Sequence, residues 1–204
     1  MHNIEGMKVL ALGCHPDDIE HGCLGTLLKL QDAGADVSAL VVTQGEMSNG
    51  SPRGYESERS FQKAGINLRG VWNYRDGYLQ PEPKIIERLS EHLKNVNLLL
   101  TQTAWDTHQD HRALFEIALS ASRRTHISII GYHVYSCTQD FRPSTIIDIT
   151  DVYKRKMEAL KEHKSQRHQV YFSSDWIKNW HKDRTATAVG MHCVELMHVF
   201  QLLL

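Results

Sequence analysis

Two short runs of this 204-residue sequence concentrate side chains that bind metals and move protons. The first is Cys14-His15-Pro16-Asp17-Asp18, and the second is Asp106-Thr107-His108-Gln109-Asp110-His111. An imidazole and a carboxylate from the first run, joined by an imidazole from the second, would supply three protein ligands and leave a position open, as in catalytic zinc sites. The remaining carboxylate of the Asp-Asp pair would then be free to take a proton from water. Each run also has a plainer reading. Pro and Asp suit a turn followed by a helix cap, and His108 with His111 at i, i+3 suits an exposed helix start. Clustering favours the metal reading, because grouped carboxylates raise one another's pKa by repulsion and a divalent cation relieves them.

Both runs follow short apolar segments. Residues 8–13 read as a buried strand, and Ile19, Cys23, Leu27 and Leu30 recur at helical spacing from Asp18 until Gly34. Residues 37–43 read as a second strand, 44–54 as a loop, 55–64 as a helix and 71–74 as a third strand. A helix over 84–94 presents Ile85, Ile86, Leu89 and Leu93 on one face, 97–101 is a fourth strand, and 111–123 is helical. Segments 132–135 and 145–149 precede a helix over 152–163, whose basic run from Lys154 to Lys164 reads as a solvated face. Residues 165–188 give no clear pattern. Repeated short strands alternating with amphipathic helices predict an α/β fold, a Rossmann-like three-layer α/β/α arrangement around a mostly parallel sheet. In such sheets ligands bind beyond the carboxyl ends of the strands, so Gly13, Thr43 and Thr101 should surround one crevice. With no linker or internal repeat, a single domain over 1–204 is expected.

Composition narrows the function. Lys plus Arg number 23 against 24 Asp plus Glu, a formal charge of -1, which lacks the basic excess of a nucleic-acid binder. No apolar run reaches the ~18 residues of a membrane span, and the first residues lack the h-region of a secretory signal. The four cysteines form no C-x-x-C pair. A cytoplasmic enzyme with packed thiols, Cys14 included, is therefore expected. No G-x-G-x-x-G, Walker-A or H-E-x-x-H motif occurs. Histidine is in surplus at 13, and only His15, His108 and His111 fall into a chemical constellation.

These residues resemble the PIG-L/LmbE-like metal-dependent deacetylases, which include N-acetylglucosaminyl-phosphatidylinositol, mycothiol-pathway and bacillithiol-pathway deacetylases. The H-P-D-D-x-E motif stands as His15 to Glu20, followed by Gly22 and Gly25-Thr26, and H-x-D-H stands as His108 to His111. Thr43-Gln44-Gly45-Glu46 is similar to the family's T-x-G-E turn, with Arg53 and Glu56 after it. Lys156 to Gln166 is similar to K-x-x-A-L-x-x-H-x-S-Q, while Val194-Glu195 matches a C-terminal Ala-Glu only loosely. The resemblance implies an LmbE-like fold and a metal held by His15, Asp18 and His111, either Zn2+ or another divalent ion such as Fe2+. It further implies Asp17 as base, an imidazolium at His108 oriented by Asp110, Arg53 on the substrate, and His163 helping to order the site. The implied reaction is removal of an N-acetyl or related N-acyl group from an amino sugar, by an enzyme that is often oligomeric. Trp105 is a weaker candidate for a sugar contact, and the apolar tail from Val199 for an interface. A phosphoesterase with similar ligands and a non-catalytic carbohydrate-binding homologue are the competing readings.

Overall fold

A computed structural model describes residues 4–48, 50–180, 182 and 190–203. Seven strands form one sheet: β1 (Lys8–Gly13), β2 (Asp36–Thr43), β3 (Asn67–Tyr74), β4 (Leu98–Thr101), β5 (Ser128–Tyr132), β6 (Thr145–Asp148) and β7 (Val194–Gln201). Their order is β3-β2-β1-β4-β5-β7-β6. The first five in that order pair in parallel, and β7 runs antiparallel between β5 and β6. The helices are α1 (Asp18–Gly22), α2 (Leu24–Asp32), α3 (Gly54–Ala64), α4 (Pro83–His92), α5 (Gln109–Ser122), α6 (Tyr153–Leu160) and α7 (Ser174–Trp180).

The central strands are buried on both faces, which is why β1 and β2 read as continuous apolar runs and not as alternating ones. Successive strand side chains still point to opposite faces. Val9 and Ala11 therefore join one core with Ile19, Leu27 and Phe61, while Leu10 and Leu12 join another with Ile85, Leu89 and Ile117. The result is the expected three-layer α/β/α arrangement. β1 has β2 on one side and β4 on the other. Connections leave in opposite directions from that point, and a crevice opens at the carboxyl ends of β1 and β4. Both chemical runs begin there.

Three expectations are corrected. The helix predicted from Asp18 to Gly34 is two helices, broken at Cys23, whose φ of -146° is not helical. The break exposes a second helix N-terminus, and a distant carboxylate fills it: Glu195 of β7 accepts from Gly25 N at 2.8 Å, Thr26 N at 2.7 Å and Thr26 Oγ1 at 2.6 Å. The basic run of α6 is not simply solvated. Lys156 is fully buried and its Nζ donates to Glu195 Oε1 and to the His21 carbonyl, each at 2.6 Å. Finally, β5 starts at Ser128 and ends at Tyr132, so 133–135 continue past the strand. In the unassigned stretch, two 3-10 turns lead into α7, and residues 181 and 183–188 lie outside the described ones. The apolar tail contributes its first residues to β7, and Leu204 lies outside the described residues. Among the described residues no helix is long and apolar enough to cross a membrane.

Removing one partner of a buried ion pair strands the other charge. Glu195→Ala should lower unfolding stability by about 3–5 kcal/mol, read as a fall in denaturation midpoint, and an unchanged midpoint would refute the clasp.

Candidate active site

β1 ends at Gly13, and the chain turns through buried His15 and Asp17 into α1. Thr43, at the end of β2, fixes this turn by donating both its N–H and its hydroxyl to the Cys14 carbonyl at 2.9 Å. Asp17 has φ 111°, a left-handed conformation that side chains with a Cβ rarely adopt. Such strain persists only where the surroundings enforce it. Here Arg53, on the residue before α3, donates through Nη1 to the Pro16 carbonyl and to Asp17 Oδ2 at 3.2 Å, and through Nε to the Gly45 carbonyl at 3.1 Å. Gly45 itself has φ 66°, and a Cβ there would lie 2.6 Å from Arg53 Nε, so glycine is required on both counts. The second run leaves β4 and enters α5 with His108 at its N-cap.

The two runs meet. His15 Nδ1 lies 3.2 Å from His111 Nε2 and 3.3 Å from Asp18 Oδ2, and His111 Nε2 lies 3.4 Å from Asp18 Oδ1. Ligands at about 2.0–2.1 Å from a tetrahedral zinc are separated by about 3.3–3.4 Å; the two ring nitrogens approach that spacing, while Asp18 reaches them through different oxygens, Oδ2 toward His15 and Oδ1 toward His111. The other nitrogen of each ring faces a carboxylate. His15 Nε2 lies 3.0 Å from Asp76 Oδ1 and 3.3 Å from Asp110 Oδ2, and His111 Nδ1 lies 2.8 Å from Asp106 Oδ2. With those carboxylates accepting from the ring N–H groups, the lone pairs of His15 Nδ1 and His111 Nε2 face Asp18, the usual support of metal-bound histidine.

Electrostatics agrees. Burial alone would push His111 down, yet Asp18 and Asp106 raise it to about 9. Against the same desolvation, His111 and His15 hold Asp18 well below the usual carboxylate range. The pocket demands positive charge, and a divalent cation meets that demand with both rings neutral. Among the described residues, the groups of three whose potential ligand atoms all lie within 4.8 Å of one another are His15-His108-His111 and Cys14-His15-Asp110, and Asp18 belongs to neither. Burial pushes the Cys14 thiol up to about 12, which keeps it a poor ligand and fits the expected packing role. His108 Nδ1 accepts from Asp110 N at 3.2 Å, and that nitrogen is thereby engaged.

This geometry corrects two expectations. Asp110 does not orient the His108 ring with its carboxylate, which instead accepts from Gly77 N at 2.6 Å and Leu79 N at 3.1 Å and supports His15. Burial and the neighbouring His111 and His15 push the His108 pKa down, which disfavours the imidazolium expected there. A neutral ring that accepts at Nδ1 carries its proton on Nε2, where it is a donor. Arg53 lines the cavity as expected, but it is buried and its guanidinium is spent on Asp17 and the backbone. Asp17 is pushed up to about 6 by burial, with Arg53 opposing the rise.

The open side is a cavity of about 260 Å³, which His15, Asp17, Asp76 and His108 line together with Tyr135 and Tyr171. Four further parts were not legible as site residues, Tyr135 at the end of the 132–135 segment among them. Asp106 lies inside the second run but carried no role, and Asp76 follows β3, whose end is not among the three, Gly13, Thr43 and Thr101, expected around the crevice. Tyr171 sits in the stretch that showed no pattern. His163 is fully buried with Nε2 2.8 Å from Glu20 Oε1, and Ser165 donates to Glu56 through N at 2.9 Å and Oγ at 2.6 Å, so the Lys156 to Gln166 segment braces the first motif and α3. Trp105 instead stacks on Phe200 at 5.3 Å, a packing contact.

The family model for PIG-L, described as GlcNAc-PI de-N-acetylase, matches residues 10–122, a span that holds both runs. The chain belongs to the PIG-L family. It is 32% identical over 169 residues to the uncharacterized deacetylase YaiS of Escherichia coli (strain K12), covering 77% of this chain and 90% of that one. It is 26% identical over 186 residues to diacetylchitobiose deacetylase of Thermococcus kodakarensis, covering 78% and 70%. Among solved structures, it is similar to GalB, the 4-carboxy-2-hydroxymuconate hydratase of Pseudomonas putida KT2440, with a TM-score of 0.83, 16% identity and coverage of 97% and 98%. This PIG-L fold thus also carries a hydratase, and the reaction must be argued from the site.

His15→Ala, Asp18→Ala and His111→Ala should each abolish zinc retention through dialysis, and Asp106→Asn should weaken zinc affinity by about 10–100-fold. Metal analysis against a competing chelator measures both, and full retention in His111→Ala would remove it from the ligand set.

Proposed function

We propose that this chain is a metal-dependent N-deacetylase of amino sugars. The observation that carries the reading is the meeting of His15 Nδ1 and His111 Nε2 at 3.2 Å, each 3.3–3.4 Å from one oxygen of the Asp18 carboxylate, beside the separate carboxylate of Asp17 held by Arg53. His15, Asp18 and His111 would hold the ion, zinc or another divalent metal such as iron. When bound, it supplies Lewis acidity, making water nucleophilic near neutral pH.

The remaining chemistry belongs to the chain. Asp17, ionised above about pH 6 and held in place by Arg53, accepts the proton of the attacking water. As the carbonyl carbon gains its new oxygen, His108 Nε2–H donates to the oxygen that becomes negative, and its neutral ring is fixed by the Asp110 N–H. Asp17 then returns its proton to the amide nitrogen, the C–N bond breaks, and acetate leaves with a free amine. Asp106, Asp76 and Asp110 take no part in proton transfer and keep the two ligand rings oriented. The deacetylase names of the two relatives, one acting on diacetylchitobiose, support an acetylated amino sugar as substrate.

Asp17→Asn should keep its zinc and lose about 10²–10⁴-fold in kcat, whereas His108→Ala should keep its zinc and lose about 10²–10³-fold. Acetate release alongside metal content checks both, and wild-type turnover in Asp17→Asn would sink the base assignment. For the wild type, protonating a base removes it, so the rate should fall as the solution is acidified through the Asp17 transition. A rate that rises on acidification would contradict the mechanism.

A further inference from the structure

The cavity's charge balance and its aromatic side name a narrower substrate than an amino sugar in general. Arg53 is the one permanently cationic side chain among the described residues lining it. That charge is already used, because Arg53 is buried and contacts Asp17 Oδ2 and the carbonyls of Pro16 and Gly45. Turning it toward a ligand would strand the Asp17 carboxylate and two buried carbonyl groups. Five carboxylates surround the site: Asp18, Asp76 and Asp110 against His15, Asp106 against His111, and Asp17 against Arg53. A divalent ion and Arg53 together leave these negative charges in excess, so an entering phosphate meets net repulsion and, among the described residues lining the cavity, no cationic side chain that is unpaired.

The cavity is instead finished by rings. Tyr135 and Tyr171 stack with centroids 3.9 Å apart and planes at 13°, and both line the opening. The edge of His21 packs on each, at 5.9 and 5.8 Å, and Trp176 meets Tyr135 edge-on at 6.4 Å, so the pair forms a fixed wall drawn from separate segments. A tyrosine ring offers an apolar body with a polar tip, which suits the C–H surface and hydroxyl rim of a pyranose. The volume, about 260 Å³, is below the roughly 300–1,000 Å³ of pockets for drug-sized ligands, and it suits one sugar ring.

Resting on the deacetylase reading, we infer that Tyr135 and Tyr171 are specificity-determining residues that receive a single uncharged N-acetylated pyranose, and that the site rejects the same sugar when phosphorylated. The test compares N-acetylglucosamine with its 1-phosphate and 6-phosphate on the full-length, zinc-loaded protein, by calorimetric or ligand-observed NMR titration and, separately, by acetate release. The neutral sugar should bind at least about tenfold more tightly than either phosphate. Tyr135→Ala and Tyr171→Ala should weaken its binding by about three- to tenfold, with Tyr171→Phe retaining most of it and circular dichroism confirming that the variants fold. Equal or tighter binding of a phosphate, neutral-sugar binding unchanged in both alanine variants, or no binding of any of the three would overturn the inference. Selective binding of the neutral sugar without acetate release would instead overturn the deacetylase reading and leave the selectivity standing.

Discussion

Negative charge gathered around two buried imidazoles is the constraint on which the structure turns. Four carboxylates lie within ion-pair distance of His15 and His111. Such a group is unfavourable in a protein interior unless positive charge joins it. The fold bears that unfavourable grouping at the one place where an open parallel sheet provides backbone ends from two adjacent strands, the carboxyl edge between β1 and β4. Each side chain there has a separate task because its neighbours differ. Asp18 faces two histidines and is held ionised, while Asp17, one residue earlier and in a left-handed conformation, faces Arg53 and is pushed toward neutrality by burial.

Much of the rest of the molecule is a brace for that edge. Thr43 ties the turn after β1 to β2, Asp110 ties the loop after β3 to the start of α5, and Ser165 ties the segment after α6 to α3. The buried Lys156–Glu195 pair performs the same service at longer range, because it joins α6 and β7 to the junction of α1 and α2, directly behind the first motif.

The layers and the two motifs were legible in the sequence for a physical reason. Strands buried on both faces need unbroken apolar runs, and metal ligands need rare residue types at strand ends. Lys156 was misread because periodicity reports which residues are apolar, and a buried lysine is recognisable only once its partner, Glu195, is known to lie beside it. Asp110 shows the same limit: it does hold His108, but through its backbone N–H, while the helical start turns its carboxylate toward His15 and the backbone of Gly77 and Leu79. Tyr171 and Asp76 come from segments that carry no pattern of their own and acquire meaning only from the cavity they line.

The position of β7 has a consequence for synthesis. Both motifs lie within the first 111 residues, yet Glu195, which closes the junction behind the first of them, belongs to the last strand. A nascent chain therefore exposes its cluster of histidines and carboxylates well before the clasp that steadies it has left the ribosome. Vectorial folding of the parallel core can begin early, but the junction of α1 and α2 gains its Glu195 contacts only once β7 is made, and until then β5 presents an unpaired edge to any neighbouring strand.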